Sequence, residues 1–202
     1  MEGNGRVPDK REMILREATR LFRENGYDNT SIRELADATN LSAAGIYYFF
    51  QDKEDILYTI LKQHSEELIE TVERSIDREA EPEASLRQMI RSLLLHNVHH
   101  VQEVIILNRE IGRLSSERQQ LIRQASRKAY DLVKDEFFRF YQLGRMKKED
   151  LALASFTLLS ETTWFGRWYR DSGTSGIDYF ADRISDMFLK GLIAPEKTQE
   201  KS

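Results

Sequence analysis

The chain of 202 residues has no cysteine, which excludes disulfides and every cysteine-based metal site. It has only three prolines, Pro8, Pro82 and Pro195, so long stretches run without a helix breaker. The period-2 alternation that marks strands is nearly absent. No apolar run approaches the roughly 18 residues of a membrane span. The opening Met1–Gly5 lacks the apolar core of a signal peptide. Positive charge is in short supply as well. There are 30 Lys/Arg against 34 Asp/Glu, a net charge of −4, and Met1–Lys62 holds nine against eleven. This excludes a polycation that holds acidic partners by bulk attraction alone. These absences suit a cytoplasmic, all-α chain, and 40% hydrophobic residues are enough for a real core.

Helical periodicity runs through most of it. Ile14, Leu15, Ala18, Leu21 and Phe22 form a 3.6-period stripe that Gly26 ends. A long helix is expected over 53–78, then an acidic break at 79–83 containing Pro82. Further helices are expected over 86–101, 102–113, from Ser116 to Gly144, over 148–170 and over 177–193. Ser116 with Gln119 reads as a capping box. The pattern predicts about nine helices, with a boundary between residues 8–68 and 69–194.

The most informative stretch is 30–53. Ser31 and Glu34 have capping-box spacing, with Thr30 an alternative cap. Ile32, Leu35 and Ala36 give one apolar face, and Asn40 suits the left-handed residue that ends a helix. Leu41 is apolar, Ser42 can cap a second short helix, and Ile46 and Phe50 would anchor it inward. Ala43, Ala44, Gly45, Tyr47 and Tyr48 are then left outside. That is an odd solubilising face, but one slim enough to approach base edges in a DNA major groove. Alanine methyls can meet thymine methyls, and tyrosine hydroxyls can bond phosphate. Asp52 can cap the next helix, Lys53 can reach a phosphate, and Arg6, Lys10 and Arg11 form a local basic cluster. A plain helical hairpin is the competing reading.

These residues, with Lys53, Glu54 and Leu57, resemble the DNA-binding domain of the TetR family of bacterial transcriptional regulators over about Lys10–Leu61. Asn40 stands where the family usually has Gly, Ala43 where Lys or Arg is common, and Phe49 where His is frequent. The resemblance implies an N-terminal three-helix helix-turn-helix domain followed by a larger helical ligand-binding and dimerisation domain. Double-stranded operator DNA would be bound through Thr30, Ser31, Ser42, Ala43, Ala44, Gly45, Tyr47, Tyr48 and Lys53.

The same resemblance makes the last two helices a homodimer interface, for which Leu158, Phe165, Ile177, Phe180, Ile184, Met187 and Phe188 are the expected residues. A two-fold pair can read a palindrome with half-sites about 34 Å apart. Asn108, Arg109, Phe137, Tyr141, Trp164, Arg167 and Trp168 are candidate effector-binding residues, because aromatic walls with a few polar groups suit a small molecule. Asn108–Ile111, Leu114–Arg118 and Trp168–Arg170 are similar to a TetR subgroup that senses CoA thioesters. That similarity implies an acyl-CoA, or another elongated hydrophobic acid, as effector.

The expected function is a homodimeric repressor released by such an effector, nucleoid-associated when bound, with no catalytic residue, cofactor or metal. His96, His99 and His100 have metal-compatible spacing, but a solvated or pocket-lining set is the plainer reading. An α-helical enzyme or a protein-binding adaptor using the aromatic second half is the alternative.

Overall fold

In a computed structural model, residues 9–170 and 175–194 are described. Arg6, residue 8 at the expected domain start and part of the 173–176 loop lie outside them. The described residues form α1 (Lys10–Asn25), α2 (Ile32–Thr39), α3 (Ala43–Phe49), α4 (Lys53–Ser75), α5 (Pro82–His99), α6 (Val101–Glu110), a 3₁₀ turn (Ile111–Arg113), α7 (Ser116–Gln142), α8 (Asp150–Trp168) and α9 (Ile177–Gly191). The chain is all-α, as its periodicity predicts. None of these helices is long and apolar enough to cross a membrane.

Element boundaries shift where local chemistry competes. Pro82 opens α5 as its first residue, where a missing N–H costs nothing, instead of sitting in a break before residue 86. Ser116 already lies inside α7, and Gln119 donates from Nε2 to the Leu114 carbonyl at 2.8 Å.

Two compact units emerge. The first combines residues up to His64 with 102–122, and the second combines 65–101 with the chain from Arg123 onward. The insertion of 102–122 into the first unit is absent from the two-block division at residue 68. In the first unit Ile14, Phe22, Leu35, Ile46, Phe50, Ile56, Leu57 and Leu61 form a closed core, joined by Ile106, Leu114 and Ile122 of the inserted segment.

The second unit is built around α5. Leu86, Met89, Ile90, Leu93 and Leu94 are fully buried against Val133, Phe137, Phe140, Leu158 and Phe188. Arg87 pairs with Asp186 at 2.7 Å and Arg91 with Asp178 at 2.6 Å, tying α5 to α9. Lys190 and Arg87 both hydrogen-bond Asp186 and hold its carboxyl down at about 2. Asp186 therefore contributes stability above its unfolded value of 3.8, and that contribution is lost as pH falls from there through about 2. Between pH 4 and 2 the acid-unfolding curve of Asp186→Asn should be flatter than that of the parent chain, as followed by circular dichroism.

Gly166 on α8 faces the backbone of α5. A Cβ there would lie 2.3 Å from the Asn97 carbonyl oxygen and 2.8 Å from its carbon. Backbone cannot swing away as a side chain can, so the two helices would have to separate. Alanine's intrinsic helical advantage of about 1 kcal/mol is smaller than the overpacking cost. Gly166→Ala should lower stability by about 1–3 kcal/mol in chemical denaturation, where an exposed helical Gly→Ala would raise it.

Candidate nucleic-acid interface

The turn between α2 and α3 is assembled from its own residues. Ser31 accepts from the Glu34 amide at 3.1 Å, and Glu34 accepts from the Ser31 amide at 2.7 Å, a complete capping box. Those bonds from Ser31 hold the Glu34 carboxyl below its usual range. Asn40 takes the left-handed conformation at φ 54°, ψ 36°, and its N–H bonds to carbonyls of the last turn of α2. Ser42 accepts from the Gly45 amide at 3.1 Å and starts α3. Ile46 and Phe50 are buried, which fixes the roll of α3 about its axis.

Ala43, Ala44, Tyr47 and Tyr48 are the exposed residues of α3. The two tyrosines are 51% and 83% exposed, unusual values for such rings unless another surface meets them. Gly45 is half-buried. A Cβ there would meet Ser42 Oγ at 3.5 Å and Leu41 Cβ at 3.6 Å, an ordinary contact. Gly45 therefore belongs to the flank of α3, not to its outer crest.

Two other expected contacts are turned inward. Thr30 is buried, and its hydroxyl donates to the Gly26 carbonyl at 2.9 Å. Lys53 donates from Nζ to the carbonyls of Tyr27 at 2.8 Å and Thr30 at 2.9 Å, and its ammonium lies 4.3 Å from the centroid of the Tyr27 ring. Its charge holds the turn before α2 against the start of α4. The partners are carbonyls 26 and 23 residues away, so the local pattern carries no sign of them. Arg11 packs over Phe50 at 5.1 Å, and Asp52 caps α4 by accepting from the Asp55 amide at 2.7 Å.

Sequence reasoning missed the part played by 110–118. The buried Glu110 carboxylate accepts from the Tyr27 amide at 3.3 Å. Arg113 pairs with Asp28, Arg118 with Asp55 and Glu54, and Glu54 accepts from the Ser115 amide at 2.9 Å. Tyr27 is the hub. Burial, then the carboxylates of Glu54, Asp52 and Asp28, push its phenol up to about 12. Gly26 precedes it at φ 84°, a backbone conformation that favours glycine.

The expected effector residues divide between the two units, and between core and surface. Asn108 and Arg109 belong to the first unit, where Arg109 donates to the Arg23 carbonyl at 3.4 Å. Phe137 is core and packs on Phe188 at 5.5 Å between ring centroids. Trp164 and Trp168 point outward at 54% and 78% exposure, with Arg167 over the Trp164 ring at 4.7 Å and Tyr141 also exposed. Helical adjacency put these residues close in sequence, but facing decides which of them meet.

The expected dimer residues divide in the same way. Leu158, Ile184 and Phe188 are buried in the core of their own unit, and Phe165, Ile177 and Phe180 are half-buried against it. Met187 is exposed, and so are Leu153, Phe156, Trp164, Trp168 and Tyr179, residues not in the expected set or assigned there to another role.

The histidines form no metal cluster among the described residues. His96 stacks on His100 at 4.4 Å, Thr71 meets His96 Nδ1 at 3.3 Å, and Glu67 lies 3.5 Å from His100.

Comparison with known proteins agrees with the geometry of the turn. The model of "Bacterial regulatory proteins, tetR family" matches residues 14–59, and "Tetracyclin repressor-like, C-terminal domain" matches 79–192. The chain is 26% identical to the transcriptional repressor KstR2 of Mycobacterium tuberculosis, over 93% of this chain and 95% of that one. It is similar to AibR crystallised with isovaleryl coenzyme A and operator DNA, with a TM-score of 0.77, 28% identity and coverage of 89% and 97%. It is also similar to PfmR of Thermus thermophilus, with a TM-score of 0.81, 29% identity and coverage of 92% and 98%. The chain carries a capped turn, a slim exposed helix and both halves of the family's sequence pattern, and it belongs to the TetR family of bacterial transcriptional regulators.

Proposed function

We propose that the protein is a repressor that binds a palindromic operator as a homodimer and is released by an acyl-CoA thioester. The observation that carries the DNA reading is the exposed surface of α3, with two alanines and two solvent-facing tyrosines, on a helix anchored by a buried Ile46. A helix with such a profile enters the major groove without steric conflict, and its hydroxyls reach phosphate. The repressor sign rests on KstR2, and the effector class on AibR.

The dimer reading is supported by the exposed residues Leu153, Phe156, Trp164 and Trp168 of α8 and Tyr179 and Met187 of α9. Large apolar side chains exposed together on two neighbouring elements are what an isologous interface covers. Two recognition helices then share the work of reading DNA. That matters here because the first unit is acidic and gains little from bulk attraction to phosphate.

Ala44 is exposed and leucine is a good helix former, so Ala44→Leu should fold normally. It should weaken binding to duplex from the region upstream of the coding sequence by about 100-fold in fluorescence anisotropy, because the added side chain holds α3 out of the groove. Tyr47→Phe should cost about three- to tenfold on specific and random duplex alike, the worth of one hydroxyl–phosphate bond. Equal affinity for all three proteins would reject groove entry by α3. Separately, titrating the protein–DNA complex with CoA thioesters, isovaleryl-CoA and longer or ring-bearing acyl chains included, should release the duplex with at least one of them. Free coenzyme A should not. If none binds in calorimetry, the effector class is wrong while the DNA reading stands.

A further inference from the structure

The DNA-reading unit has a charge problem. Residues 9–64 with 102–122 carry eleven Lys/Arg against thirteen Asp/Glu. Asp28 lies in the turn before α2, and Glu54 and Asp55 lie in the first turn of α4, a few residues beyond α3. Left uncovered, these carboxylates would repel the phosphates that flank the groove. Each is met by an arginine from the inserted segment. Arg113 Nη2 lies 2.5 Å from Asp28 Oδ2, Arg118 Nη2 lies 3.0 Å from Asp55 Oδ1, and Arg118 Nη1 lies 3.5 Å from Glu54 Oε1.

We propose that Arg113 and Arg118, both outside the helix-turn-helix segment, set the DNA affinity of this protein by neutralising Asp28, Glu54 and Asp55. The proposal rests on the DNA-binding reading above. These arginines are positioning residues: they act through the carboxylates they cover. Their influence reaches phosphate only within about a Debye length, ~8–10 Å in ordinary buffer, so added salt must erase it. The Arg113–Asp28 pair is about half exposed on both sides, at 53% and 55%, and such pairs add little to folding. Arg118 is more enclosed and lies 4.9 Å from the centroid of the Tyr58 ring, so its loss also touches packing. Arg113 therefore provides the cleaner test.

The experiment is a double-mutant cycle on the full chain with two probes, the upstream duplex and a random-sequence duplex. Arg113→Gln should weaken binding about three- to tenfold on both at low salt, and the loss should fade as salt rises. Asp28→Asn combined with Arg113→Gln should restore the parent affinity, because the carboxylate that needed covering is gone. Arg118→Gln with Asp55→Asn should show the same pattern in part, since Glu54 stays uncovered. A mechanical tether would not be rescued, as neither double variant rebuilds the ion pair. A direct Arg113–phosphate contact would not be rescued either. Failure of rescue, or no loss in the single variant, overturns the proposal. If the parent chain binds neither duplex, the DNA reading falls and takes this inference with it.

Discussion

A seven-residue helix does not persist alone in water, because nucleation costs more than so few backbone bonds return. α3 has seven residues and exists only because its neighbours impose it. Ser42 satisfies an amide of its first turn, Asn40 reverses the chain into it, and Ile46 and Phe50 sink into the core beneath. Those constraints also fix which residues cannot be buried. Once Ile46 points inward, helical geometry turns Ala44 and Tyr48 the other way, and Ala43 and Tyr47 lie exposed on the flank. Stability of the helix and presentation of its recognition face are therefore one requirement.

Features decided within about four residues were legible in advance. The Ser31–Glu34 box, the left-handed Asn40, the Ser42 cap and the burial of Ile46 and Phe50 all depend on near neighbours, and the pattern of residue types reports them. Lys53 and Thr30 escaped for the opposite reason. Both sit where a surface contact is plausible, yet their partners are carbonyls of the turn at 26–30. Glu110 lies beyond any local rule, because the amide that it accepts from is 83 residues away. Its segment read as one more amphipathic helix, and nothing in its period distinguished which core it would join.

Charge shows the same division between composition and arrangement. A net −2 over the first unit looks unsuited to nucleic acid. Composition sums over all directions, whereas a phosphate meets only the charges within a Debye length of its own position. Carboxylates held against arginines of 113–118 are largely silent at that distance, while the tyrosines of α3 stay available. The modest cationic content then has a further effect. Few cations mean little bulk attraction to phosphate, which leaves discrimination to shape and hydrogen bonding at the groove.

The second unit shows how a small residue on one side of a helix governs large ones on the other. At Gly166 the backbones of α8 and α5 approach too closely for any Cβ. Two residues before and after it, Trp164 and Trp168 project outward. A rotation of roughly 200° over two residues puts both on the face opposite the glycine. The close contact at Asn97 thus holds the azimuth of α8, and with it the direction of the exposed aromatic pair. The stripe on α9 read as an interface, but the own-unit core takes Ile184 and Phe188, which cluster with Leu86, Met89, Ile90, Leu93 and Leu94 of α5. An apolar stripe with a helical period says that something will cover it. Whether that cover is intramolecular is set by which surfaces the same chain has left over, and here the core takes Ile184 and Phe188 while Tyr179 and Met187 stay exposed.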